Sequence, residues 1–179
     1  MLRTGREERT EGRPLELLSW MNVAPKPQIR RSQPGDLAAV RDLLQGAGLP
    51  TDDLMCAAGL QICVLEAEGL VAGVIGLERF GAGGLLRSLA VAPEYRGRGL
   101  GHELVAQLER DAQAGGVERL VLLTETAEAF FRRLGYVPTE RRNVPDAIKQ
   151  SAEFRSLCPA SAVCMSKSLV SSSVESLHD

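Results

Sequence analysis

One segment restricts the fold more than any other. An apolar run, Leu85 to Val91, passes through Pro93 into a turn with three glycines in five residues (Gly97, Gly99, Gly101), and the turn opens an amphipathic helix. Strand, glycine turn and helix in that order present a row of backbone N–H groups at the positive end of a helix dipole, which is a cradle for an anion. Glycine removes the Cβ that would hold the anion off. Arg96 and Arg98 add charge-assisted donors at the same place. Two common phosphate loops do not fit. A Walker loop needs Gly-Lys-Ser/Thr where this chain has Gly101-His102, and a dinucleotide fingerprint counted from Gly97 or Gly99 needs glycine where His102 or Leu104 stands.

The rest of the chain alternates around this loop. Gln28 to Arg31 is a short strand, and Pro34-Gly35-Asp36 starts a helix with Asp36 as its N-cap and Leu37, Val40, Leu43 and Leu44 on one face. Gln61 to Glu66 and Leu70 to Phe80 are β-rich runs joined by the hairpin signal Ala67-Glu68-Gly69. After the loop, Leu100 to Ala114 carries the apolar stripe Leu100, Leu104, Val105, Leu108 and Ala112, and Gly115-Gly116 closes the helix. Arg119 to Thr124 reads as a buried strand, followed by a short helix through Ala127, Phe130, Phe131 and Leu134. Tyr136 to Pro138 and Ala162 to Met165 are the last strands. A meander of strands followed by βαβ units predicts an α+β (mixed α/β) fold on a mixed sheet, not a doubly wound parallel one. The domain is expected over residues 28–169, with a charged, Pro-punctuated extension at 1–27 and a polar tail at 170–179. Translation starts at either Met1 or Met21.

The pattern R-x-x-G-x-G at Arg96, Gly97, Arg98, Gly99, Leu100 and Gly101, with the block from Thr124 through Phe131 to Gly135-Tyr136, resembles the GNAT superfamily of acetyl-CoA-dependent N-acetyltransferases. The resemblance implies a strongly twisted mixed sheet, flanked by helices and splayed between its fourth and fifth strands, with pantetheine lying in the split. It implies that Arg96 to His102 hold the CoA pyrophosphate, and that Leu89, Ala90 and Val91 offer backbone groups to the pantetheine and thioester. Two positions depart from the family pattern. Thr124 stands where many members have an Asn that contacts pantetheine, and Phe131 where many have the Tyr that protonates the departing thiolate. Arg87-Ser-Leu-Ala-Val91, Leu123-Thr124-x-Thr126-Ala127 and Phe154 through Cys158 to Cys164-Met are also similar to short acetyltransferases encoded with arsenic-resistance genes and to the acetyltransferase domain of N-acetylglutamate synthase. Both relatives imply a small-molecule acceptor, the α-amino group of glutamate or of an arsenical analogue. A protein N-terminus or lysine is the alternative acceptor. A non-catalytic acyl-CoA or metalloid-responsive module is the alternative of a different class.

An α-amino group has a reference pKa of about 8, so a modest base suffices to deprotonate it. Glu125, at the end of a central strand, is the first candidate for polarising the amine and Glu78 the second; each also reads as a solvated surface carboxylate. Tyr136 is a candidate to protonate the thiolate, or else core. His102 reads as the first-turn residue of the anion-binding helix, mattering through its backbone N–H more than its ring. Arg132 and Arg133 are within reach of the CoA 3′-phosphate or lie on a solvated face. Arg87, charged within an apolar strand, reads either as a clamp for a substrate carboxylate or as the exposed face of an alternating strand.

Composition sets the remaining limits. With 21 basic against 23 acidic residues the chain lacks the basic excess of a nucleic-acid coat, so no nucleic-acid partner is expected. No run approaches the roughly 18 apolar residues of a membrane helix, and residues 1–13 carry seven charges, unlike a secretory leader. Cys56, Cys63, Cys158 and Cys164 have no metal-type spacing and no CxxC, so reduced, mostly buried thiols in a cytoplasmic protein are expected, and no metal. Cys158 and Cys164 leave a soft-ion site as a minority reading. Dimers are common among the relatives, which makes a homodimer the expected assembly.

Overall fold

The computed structural model describes residues 26–54 and 59–170. Most of the expected N-terminal extension, the expected polar tail from 171 onward, Met21, Cys56 and His178 lie outside these residues.

The sheet begins with an antiparallel meander. Strand β1 (Gln28–Arg31) pairs with β2 (Leu60–Ala67), β2 with β3 (Leu70–Phe80), and β3 with β4 (Gly83–Val91). The β2–β3 hairpin turns on Glu68 and Gly69, with φ of 54° and 78°, the left-handed pair that a two-residue turn needs. Helix α1 (Leu37–Gly46) follows β1, and α2 (Leu100–Ala114) joins β4 to β5 (Arg119–Thr124). A short helix α3 (Glu128–Arg133) leads to β6 (Val137–Pro138), and after the four-residue α4 (Asp146–Lys149) and a π-helical turn (Glu153–Leu157) the chain closes with β7 (Val163–Ser168). The strand order is β1-β2-β3-β4-β5-β7-β6, antiparallel except between β4 and β5. The mixed sheet is the fold class expected from the sequence.

Both faces of the sheet are covered, which explains the nearly continuous apolar runs of β2 and β3. Val64, Val74 and Ala90 pack with Val40 and Leu44 of α1. Leu65, Ile75, Leu77 and Leu86 pack on the other side with the whole expected stripe of α2, all five residues of which are buried. A third cluster joins Leu85 and Val121 to Val144, Ile148 and Cys164, so α4 covers the lower part of the sheet. Among the described residues no helix is long and apolar enough to cross a membrane.

One local expectation is corrected. Asp36 does not cap α1. Its carboxylate accepts the Gln33 N–H at 2.7 Å and the Arg30 guanidinium at 2.7 and 3.0 Å, stabilising the 3₁₀ turn ahead of the helix and tying it to β1. The Arg30 hydrogen bonds hold its pKa down at about 2.

Candidate functional site

The parallel pairing of β4 with β5 lasts only from Gly83/Arg119 to Leu85/Val121. Beyond it, Leu86 to Val91 and Leu122 to Thr124 are not paired with each other. The splay falls between the fourth and fifth strands. A bulge adds to it: Val74 pairs with Ala90 and Gly76 with Arg87, so Ile75 faces both Ser88 and Leu89, and Ser88 sits at φ 57°. The extra residue resets the alternation. It returns Ala90 to the face that already carries Leu85, Arg87, Gly76 and Glu78.

Two cavities open on the splayed edge and share Leu89, Ala90, Val91, Arg96 and Ala127. The first, about 590 Å³, is lined by those residues, the glycine turn, and Tyr95, His102, Phe130 and Arg133. Gly97 and Gly99 hold φ of 74° and 79°, and a Cβ on either would meet nothing within 4 Å, so the turn is an open cradle. After Arg96, the first N–H groups with an internal acceptor here are those of His102 and Glu103, both bonded to Gly99 O, at 3.0 and 3.2 Å. The earlier N–H groups, from Gly97 to Gly101, have no acceptor among the described residues and lie at the start of a 15-residue helix. Arg96 Nε donates to Val91 O at 2.8 Å and ties the turn to the strand end, while the Arg98 guanidinium lies over the Tyr95 ring at 5.3 Å. The expectation for His102 is therefore corrected. Its N–H is used inside the helix, and its ring packs edge-on against Phe130 at 5.0 Å.

The second cavity, about 690 Å³, lies on the α1 face. Its walls are the turn Gly46–Pro50, the ends of β4 and β5 with Thr124, Glu125 and Phe131, and the segment holding Glu153, Cys158 and Ala162. Thr124 Oγ1 accepts the Ala127 N–H at 2.9 Å, starting α3 and leaving its own proton free to donate. Phe131 is 4% exposed and brings no proton donor to the wall. Glu125 is solvent-exposed at the rim.

Arg87 is the main surprise. It is 3% exposed, so the exposed-face reading fails. Its fork is held by the Asp53 carboxylate, at 2.7 Å from Nη2 to Oδ1, with Glu78 Oε2 at 3.4 Å from Nη1 and Glu153 Oε2 at 3.5 Å from Nη2. With both terminal nitrogens engaged, Arg87 is not the free carboxylate clamp expected from the sequence. Burial pushes the Glu78 and Glu153 carboxyls above the ordinary range, against the attraction of Arg87. Glu78 is 6% exposed and off the cavity wall, behind Arg87, which removes it from direct access to an amine. Tyr136 is likewise absent from both walls. It is 1% exposed, packed edge-on against Phe131 at 5.5 Å, and its hydroxyl has no hydrogen-bond partner among the described residues. Burial raises its pKa far above that of free tyrosine. Cys63, Cys158 and Cys164 are free thiols; Cys158 lies on the second wall, where burial pushes its pKa up to about 11, so it stays protonated and weakly nucleophilic.

Asp53 and Glu153 escape a sequence reading because they lie 34 and 66 positions from Arg87. The signal was Arg87 itself, since a guanidinium in a buried strand requires carboxylate partners.

Residues 58–138 match the Acetyltransferase (GNAT) domain family. An amino-acid acetyltransferase of Pseudomonas syringae pv. syringae is 37% identical over 89 residues, 49% of this chain and 21% of that protein. One from Pseudomonas aeruginosa is 35% identical over the same length. The match thus spans about a fifth of those relatives. Among solved structures, N-acetylglutamate synthase from Neisseria gonorrhoeae, complexed with coenzyme A and N-acetyl-glutamate, aligns with TM-score 0.70 and 20% identity over 82% of this chain and 36% of that one. Rv2747 from Mycobacterium tuberculosis, in complex with CoA and NLQ, aligns with TM-score 0.69 and 26% identity over 80% of this chain and 99% of that one.

Proposed function

We propose that this chain, whose residues 58–138 match the Acetyltransferase (GNAT) domain family, transfers the acetyl group of acetyl-CoA to the amino group of a small, amino-acid-like acceptor. Glutamate and its arsenical analogues are the first to test. The observation that carries the reading is the meeting of two unlike cavities at Leu89 to Val91: one with open glycines at a helix start, the other walled by buried charge.

The residues fit CoA on the first side. The N–H groups of Gly97 to Gly101, the positive end of α2 and the guanidinium of Arg96 suit the pyrophosphate, with Arg98 beside the cavity over Tyr95, and Arg133 suits a further phosphate. Bound CoA supplies an acetyl group already activated as a thioester. The edge of Leu89 to Val91, which β5 does not pair, offers backbone hydrogen bonds to it beyond the Val91 carbonyl that Arg96 occupies, and N–H groups to the developing oxyanion. A protein N-terminus or lysine would need an open groove. Here Gly46–Pro50 and the segment from Glu153 to Ala162 form walls, which supports a small acceptor. Purified protein, acetyl-CoA and a panel of amino acids, followed by thiol release, test the reading. CoA binding without turnover of any amine would defeat it.

A further inference from the structure

On the α1 face, between the apolar cover of α1 and that of α4, lies a cluster of charge: Arg87, Asp53, Glu78 and Glu153. Three carboxylates around one guanidinium leave an excess of negative charge beside the second cavity. Arg87 Nε has no hydrogen-bond partner among the described residues, and Glu153 Oε2 has only the long contact to Arg87 Nη2, at 3.5 Å. Glu153 is 7% exposed, and what remains accessible of it is on the cavity wall. A buried carboxylate held only by so long a contact is under-satisfied, and a further donor reaching its accessible part completes it. The other wall carboxylate, Glu125, is exposed and solvated.

We propose that Glu153 receives the acceptor's amino group: the ammonium docks against its carboxylate and gives up a proton to it before the nitrogen reaches the thioester. This deepens the acetyl-transfer reading and rests on it. One N–H bond breaks with its electron pair staying on nitrogen, and the proton passes to the Glu153 carboxylate. The neutral amine forms the C–N bond as the C–S bond breaks, its second proton goes to the CoA sulfur, and Glu153 later returns its proton to water. Arg87 is a positioning residue that keeps Glu153 at the wall. This assignment fits Phe131, since the departing sulfur takes the amine's own proton and no tyrosine is needed.

The groups facing Glu153 are Arg87 of β4, Glu78 of β3, Asp53 of the turn after α1, and Cys158 of its own segment. Burial, Asp53 and Glu78 push its proton affinity up and Arg87 pulls it down, leaving it above the usual carboxylate range. A base so placed works near neutral pH.

The test uses the full chain saturated with CoA and titrated calorimetrically with each of the common L-amino acids and with their deaminated acids. The expected result is that at least one amino acid binds and its deaminated analogue binds at least tenfold more weakly. Glu153→Gln should keep wild-type CoA affinity but lose roughly a hundredfold in kcat/KM at pH 7. It should also lose the acidic limb of the wild-type pH profile, while Glu153→Asp keeps part of both. Equal binding of amino acid and deaminated analogue by the wild type overturns the proposal, whatever the variants do. So does a Glu153→Gln enzyme with an unchanged rate and acidic limb. A chain that binds CoA but no amine overturns the proposal and leaves the CoA site standing. A chain that does not bind CoA overturns the reading beneath it.

Discussion

Replacing Arg87 with methionine keeps most of the side-chain length and removes the one cation among three carboxylates, two of them buried. Arg87 and its partners Glu78 and Glu153 are all under 10% exposed, so water does not replace the lost partner. Removing one member of a buried ion pair costs about 3–5 kcal/mol. In a chain of this size each kcal/mol moves Tm by about 2–4 °C, so the fall at pH 7.5 should be roughly 6–20 °C. The pH dependence identifies the cause. Glu78 and Glu153 already have folded pKa values above their unfolded ones, and without Arg87 both rise further. Between the unfolded and folded values the native state binds more protons, so stability falls as pH rises through that window and returns as pH drops. Arg87→Met should therefore recover much of its loss at pH 5.5, and adding Glu78→Gln and Glu153→Gln should recover it at pH 7.5. Thermal unfolding followed by circular dichroism at both pH values measures this. A loss below about 1 kcal/mol, or one of equal size at both pH values, would refute the account of Arg87 as the hub of a carboxylate cluster.

Gly99→Val should abolish CoA binding in calorimetry while the far-UV spectrum stays native, because an added Cβ meets no described atom within 4 Å yet blocks the anion. Its backbone strain should cost about 1–3 kcal/mol, and tight CoA binding by this variant would misplace the cradle. Tyr136→Phe should leave turnover unchanged and denaturant stability within about 1 kcal/mol of wild type or above it, since the hydroxyl removed has no hydrogen-bond partner among the described residues; a large drop in kcat would restore Tyr136 as a proton donor. Gly84→Val should destabilise the chain by about 1–3 kcal/mol in urea, because a Cβ there would stand 2.9 Å from Leu120 Cδ2 and 3.0 Å from Leu77 Cδ1.

The segment from β4 through α2 was readable because its determinants are local. The glycines, the stripe from Leu100 to Ala112 and the Gly115 stop are all within a few turns of the residues they control. The stretch from Thr139 to Ala162 was not, since its elements are three to five residues long and are held by distant partners. Ile148 packs over Leu85 and Val121, and Arg141 donates to the carbonyls of Pro159 and Ala162. The wall of the second cavity, Glu153 included, comes from this stretch, so the acceptor side was hidden while the anion side was not. Asp36 shows the same limit at small scale. A local capping rule placed it, and Arg30 on a neighbouring strand reassigned its carboxylate. The bulge at Ser88 left no mark in the sequence because no glycine stands at its left-handed position.

The sheet is divided by hydrogen bonding but not by packing. Leu86 of β4 and Leu122 of β5 belong to one apolar cluster with Leu100, Phe131 and Met165, and this cluster runs beneath the gap. The width of the opening is therefore set by side-chain volume, not by a ladder with fixed spacing. Hydrogen-bonded strands can shift only in whole-residue steps, whereas a packed layer can be widened or narrowed one methylene at a time. Substitutions at Leu86 or Leu122 would regrade the opening continuously while the register of every strand, the glycine cradle and the carboxylate cluster stayed where they are. A fold arranged in this way can change the size of molecule it admits without rebuilding the parts that act on it.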